Sequence, residues 1–283
     1  MAQNAPSLCR NCGKLMGTAD ECPYCGARRG SPAGYVRSWM RKLSDPNTSV
    51  THIIMGACCA LFLVTMLLSG FFFGIQGLVQ ALLAPPSEIL LLMGLTGPFV
   101  FSEGYWWGLF TSVFSHIGLI HLGFNMYVLS ILGPLLERSV SRSTFWSIFV
   151  LSGAGGAFLT ALMGNVAAGA SGAIMGVLGA SLVLGYLSGR DLNDAMMQTL
   201  IRWAVLIFAF GILVNLMGAA IRIDNWGHLG GFLTGAALVS LWSFVKTNRT
   251  YRDKVSPVLG WALLAILVLA FVRSWMTVFF GAG

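Results

Sequence analysis

Seven apolar runs dominate this chain, and none of them contains a carboxylate. The first extends from Ile53 to Ile75 without a charge. At about 1.5 Å per helical residue, a run of that length crosses a hydrocarbon core about 30 Å thick. Further runs lie near 117–136, 143–165, 167–188, 203–221, 226–245 and 258–272. Inside lipid, backbone N–H and C=O groups have no water to bond, so segments of this kind fold as helices. Charged residues make up only 10% of the chain, where a soluble domain carries roughly 25%. The expected fold class is an all-α polytopic membrane protein of seven transmembrane helices.

Lysine and arginine set the expected orientation. With the N-terminus in the cytosol, the cytosolic flanks hold Arg37, Arg41, Lys42, Arg138, Arg142, Arg190, Arg202, Lys246, Arg249, Arg252 and Lys254, and the outer flanks hold Arg222 and Arg273. This is the positive-inside bias. The net charge of +7 therefore reports topology, and no nucleic-acid partner is expected. No apolar h-region precedes His52, so no signal peptide is expected. The C-terminus is expected outside, and the expected setting is a bacterial plasma membrane. Between the first two runs, residues 76–115 contain Pro85-Pro86, a short apolar piece and Tyr105-Trp106-Trp107. The segment is expected to lie in the outer leaflet as an ordered element, since Trp and Tyr favour the interface.

Residues 1–30 need a separate account. Cys9, Cys12, Cys22 and Cys25 form two C-x2-C knuckles, the spacing with which four thiolates surround one Zn²⁺ tetrahedrally. Four protein ligands close the shell, so the zinc is structural, supplies folding free energy to a small unit, and plays no part in catalysis. The expected organisation is a zinc ribbon at 1–30, a linker at 31–49 and a transmembrane domain at 50–283.

All ten carboxylates fall outside the runs, which excludes a pair of catalytic aspartates at membrane depth. What remains near the apolar runs is one serine among glycines, "GASG" at 169–172, with His116, His121, Asn125 and His228. His121 and Asn125 are four residues apart and share a helix face. Gly172-xxx-Gly176 and Gly227-xxx-Gly231-xxx-Gly235 are small-xxx-small ladders of the kind that lets helices approach closely in lipid. A hydroxyl nucleophile needs a base, and a developing oxyanion needs donors; Ser171, His228, His121 and Asn125 can supply both. Taken one at a time, the same residues are also ordinary interhelical hydrogen-bonding groups.

Three motifs in order, "HIGLIHLGFNM", "GASG" and "HLGGFLTG", resemble those of the rhomboid intramembrane serine proteases over about residues 50–250. The resemblance implies a six-helix core plus one C-terminal helix. It implies Ser171 as nucleophile, His228 as general base, and His121, Asn125 and the Ser171 N–H as oxyanion donors. The implied substrates are transmembrane segments of other proteins within the bilayer; oligomeric state is left open. The alternative is a catalytically inert relative that binds membrane helices. One departure stands out: where the family often has Trp-Arg before the second span, this chain has Trp107-Gly108. Asp224, four residues before His228, is expected to stay hydrated at the rim, leaving a Ser-His dyad.

Overall fold

In a computed structural model of the chain, the described residues are 8–9, 14–15, 21–23, 48–218, 222–245 and 256–280. The chain divides into two compact units, Met1–Ser49 and Val50–Gly283. In the first, Leu8 and Leu15 form an isolated antiparallel bridge, and the Cys9 N–H donates to the Lys14 carbonyl at 2.7 Å. Cys9 and Cys22 are buried. Cys12, Cys25 and nearly all of the expected linker lie outside the described residues.

The second unit is helical. It begins with α1 (Val50–Leu83), α2 (Ser87–Met93), α3 (Phe99–Ser102), α4 (Gly108–Thr111) and α5 (Leu119–Glu137). It continues with α6 (Arg142–Leu162), α7 (Ser171–Leu187), α8 (Ala195–Leu216), α9 (Asn225–Val245) and α10 (Ser256–Phe280). Five helices, α1, α5, α6, α8 and α10, are long and apolar enough to cross a membrane. This is a multi-pass membrane protein. The helix α7 is apolar but only 17 residues long, and it forms the buried centre of the unit, packed between α5, α6 and α9.

Two helix starts depart most from the apolar runs. The fourth run was expected from residue 167, yet α7 starts at Ser171 because Ala167 and Gly169 are bonded through their backbones to Thr96 and Ser112 instead. The fifth run was expected from residue 203, yet α8 starts at Ala195, where the Asp194 side chain accepts from the N–H groups of Met196 and Met197 at 3.0 and 3.3 Å. An N-cap of this kind starts a helix regardless of where lipid-compatible residues begin.

The first run ends where expected, by a break rather than a stop. Gly74 has φ 65° and ψ −161°, a conformation that side chains with a Cβ avoid. Beyond it the chain folds back, so that Leu78 lies 3.5 Å from the position a Cβ on Gly70 would take. In a straight helix those residues would be about 12 Å apart along the axis. The other end of α1 is capped from a distance. Glu137, the last residue of α5, accepts from the Thr51 N–H at 3.1 Å, the Thr51 hydroxyl at 2.7 Å and the Val50 N–H. Two of the orphan amides at the start of α1 thus find a charged acceptor on its neighbour.

Candidate active site

The site is built on three helices that meet at glycines. A methyl placed on Gly231 or Gly235 of α9 would overlap the carbonyl oxygens of Gly172 or Gly176 of α7. One on Gly156 of α6 would come within 2.6 Å of the Gly227 carbonyl. No residue larger than glycine fits these contacts, and the two expected ladders are the faces by which α7 and α9 touch. Ser171 and His228 each adjoin this contact, one residue from Gly172 and Gly227 respectively, at the same end of the bundle.

The approach to Ser171 is an extended strip held on several sides. Ala167 and Thr96 exchange backbone hydrogen bonds at 3.0 and 3.1 Å, and the Gly169 N–H donates to the Ser112 carbonyl at 2.8 Å. The Ala170 N–H points to His116 Nε2 at 3.4 Å. His116 Nδ1 lies 3.1 Å from the Phe114 carbonyl. A carbonyl can only accept, so Nδ1 carries the proton and Nε2 is left as acceptor. His116 was noted in the sequence without a role; here it fixes the residue before the serine. Only the shared "H-x4-H" spacing hinted at this, since the partner is 54 residues away.

His121 and Asn125 occupy one face of α5, as their spacing requires. The His121 ring lies on the backbone of Gly169, where a Cβ would stand 2.5 Å from Cε1, and Gly169 itself has φ 148°. Both facts demand glycine there. Asn125 is buried, and its Nδ2 donates to the His121 carbonyl at 3.0 Å, leaving the second amide hydrogen for another acceptor. Among the described residues the Ser171 and Gly172 N–H groups have no acceptor, as the geometry of a helix start requires. Such amides favour negative charge placed before them.

His228 is buried, and among the described residues its Nδ1 has no hydrogen-bond partner. The Ser171 hydroxyl makes no hydrogen bond among the described residues, whereas active-site hydrogen bonds often tighten only when substrate is bound. The expectation that Asp224 stays hydrated is not what the structure has. Asp224 is partly buried and precedes α9: Oδ1 accepts from the Gly227 N–H at 3.0 Å, and its carbonyl accepts from the His228 N–H at 3.1 Å. Its Oδ2 is paired with the Thr160 hydroxyl of α6. Asp224 is thus the N-cap of α9, and its carboxylate is engaged by Gly227 and Thr160 rather than by His228 Nδ1.

The missing guanidinium beside Trp107 also has a local reason. Gly108 is buried, and a Cβ on it would come within 2.5 Å of the Leu95 carbonyl oxygen. No side chain can leave the backbone there.

With this geometry in hand, known proteins supply the family. The rhomboid domain matches residues 103–245, about half of the chain. The chain belongs to the rhomboid family. The rhomboid protease GluP of Bacillus subtilis is 32% identical over 179 residues, covering 62% of this chain and 34% of that protein. RHOMBOID-like protein 6, mitochondrial, of Arabidopsis thaliana is 34% identical over 166 residues, covering 53% of this chain and 52% of that protein. RHOMBOID-like protein 2 of the same plant is 29% identical over 251 residues, covering 84% and 73%. The chain thus spans about a third to a half of the first two relatives. The rhomboid match begins after α3 and ends with α9, so α10 and the cysteine-bearing unit lie outside it.

Proposed function

We propose that this rhomboid is an intramembrane serine protease that cuts transmembrane segments of other membrane proteins through a Ser171–His228 dyad. The observation that carries the reading is the glycine contact between α7 and α9. Ser171, at a glycine-rich helix start, and His228, buried and with no Nδ1 partner among the described residues, each adjoin that interface.

The Ser171 Oγ attacks the scissile carbonyl carbon while His228 takes its proton. The oxyanion forms before the free amides of α7 and within reach of His121 and the second Asn125 amide hydrogen. Collapse breaks the C–N bond, and His228 returns the proton to the leaving amine. Water then attacks the acyl-enzyme with His228 as base, releasing the acid and restoring Ser171. Positioned donors act on charge that exists only in the transition state, so they lower the barrier without tightening ground-state binding. The peptide bond must leave its helix to be attacked, which favours substrates with small or helix-breaking residues near the cut.

The same reading takes α7 and α9 as spans beside the five helices named above, giving a six-helix core plus α10. It puts the end bearing Arg138, Arg142 and Arg190 in the cytosol of a bacterium and the Ser171 end at the outer leaflet, following the positive-inside bias. Cys9, Cys12, Cys22 and Cys25 hold a structural zinc, supported by the antiparallel bridge between Leu8 and Leu15 and the burial of Cys9 and Cys22. The domains are then 1–30, 31–49 and 50–283. The test is a fluorophosphonate, which should add its mass at Ser171, together with cleavage of a panel of single-span proteins. An inert helix-binding rhomboid would bind the panel, cut none of it and take up no label.

A further inference from the structure

Helix α10 is fastened at its start and again at Ser274, inside its second half. At the first, the Ser256 hydroxyl lies 2.8 Å from Ser143 Oγ, 3.0 Å from Thr144 Oγ1 and 3.3 Å from Ser141 Oγ, around the N-cap of α6. At the second, Ser274 is buried, with its hydroxyl 3.1 Å from the Leu91 carbonyl and 3.0 Å from that of Leu92. These carbonyls belong to the last turn of α2, where that of Leu91 also accepts from the Gly94 N–H at 3.3 Å. One residue earlier, the Arg273 guanidinium carbon stands 5.1 Å from the centroid of the Trp107 ring. Trp107 is buried and stacks on Tyr105 at 4.8 Å.

An arginine within an apolar helix is costly unless it finds a partner or reaches water. A weakly hydrated, planar guanidinium over an indole face is a partner that works in a partly dry site. The segment it meets is the one that holds the serine approach. That segment supplies Thr96 to Ala167, Ser112 to Gly169 and His116 to Ala170. Ser115 closes it on itself by donating to the Met93 carbonyl. The contacts form a continuous path from α10, through α2 and Trp107, to the four residues before Ser171.

We propose that Arg273 and Ser274 are positioning residues, a brace by which α10 holds the 84–118 segment in register with the Ser171 approach and so governs substrate entry. The entry role rests on the protease reading; the brace itself does not.

The experiment compares the full-length protein with Arg273→Gln, Arg273→Lys and Ser274→Ala in detergent, by hydrogen exchange and by steady-state cleavage of a single-span substrate. Losing a desolvated cation–π contact should raise amide exchange in 91–113 about tenfold in Arg273→Gln while α5–α7 keep their protection. Ser274→Ala should loosen the same peptides, and Arg273→Lys should restore most of the protection. In cleavage, Arg273→Gln should raise KM about fivefold with kcat within about twofold. Unchanged exchange in 91–113, or loosening spread evenly over α5–α9, overturns the brace. A lowered kcat at constant KM overturns the entry role. If the parent protein neither labels nor cuts, the protease reading fails while the exchange comparison still decides the brace.

Discussion

Asp224 separates two chemistries, because its carboxylate stands one turn from His228 yet is committed elsewhere. Replacing it with asparagine keeps an oxygen for the Gly227 N–H and places an amide against Thr160 Oγ1. The Thr160 hydroxyl can then turn its proton to the Gly156 carbonyl, 2.9 Å away, and accept from the new amide. The loss is confined to the charge assistance of two hydrogen bonds, about 0.5–1.5 kcal/mol. Alanine removes more: an N-cap worth about 0.5–2 kcal/mol and a charged hydrogen bond worth about 1.5–3 kcal/mol. The expected destabilisation is therefore about 2–5 kcal/mol, or roughly 4–20 °C in Tm for a domain of this size. Asp224→Asn should cut substrate within about tenfold of the parent rate, a barrier change under about 1.4 kcal/mol. The matching change in a soluble Ser-His-Asp triad costs about 10⁴. The assay is cleavage of a single-span substrate alongside thermal unfolding in the same detergent. A loss near 10⁴ in a folded Asp224→Asn protein would refute the dyad. An Asp224→Ala protein as stable as the parent would refute the cap.

Glu137→Gln should lower thermal stability by about 1–3 kcal/mol, since three donors at the start of α1 lose a charged acceptor; a parent-like melting curve would contradict this. Asn125→Ala should lose about 10²–10³ in kcat, the usual cost of one oxyanion donor, while binding substrate as before; unchanged turnover would exclude the role. A peptide of residues 1–30 should take up one zinc with four thiolates protected from alkylation, and a chain shortened to begin near residue 45 should still cut in detergent. A peptide that binds no zinc, or a folded but inactive shortened chain, would overturn the separation of ribbon and catalysis.

The architecture near the serine was legible because lipid leaves few ways to write it. Glycines at 172, 176, 227, 231 and 235 lie at intervals that only close helix packing uses, and the structure spends them on that contact. The start of α7 at Ser171 was less legible, since "NVAAGA" is as apolar as the helix that follows. What holds it extended is Thr96, Ser112 and His116, far away in sequence. Asp224 carried a readable sign, an acid three residues before Gly227 at a helix start, but its second partner, Thr160, belongs to another helix. Arg273 read as the residue that ends the last apolar run, and its use became visible only with Trp107 beside it. The knuckle spacing is explicit in the sequence, and half of its cysteines lie beyond the described residues.

The central claim is that Ser171 is a nucleophile activated by His228. The most direct measurement is intact-mass and peptide mapping of the detergent-solubilised protein after reaction with a fluorophosphonate, beside Ser171→Ala and His228→Ala. The account predicts one adduct per chain on the peptide containing Ser171, none in Ser171→Ala, and labelling slowed by orders of magnitude in His228→Ala. An adduct on another residue, or undiminished labelling without His228, would contradict it.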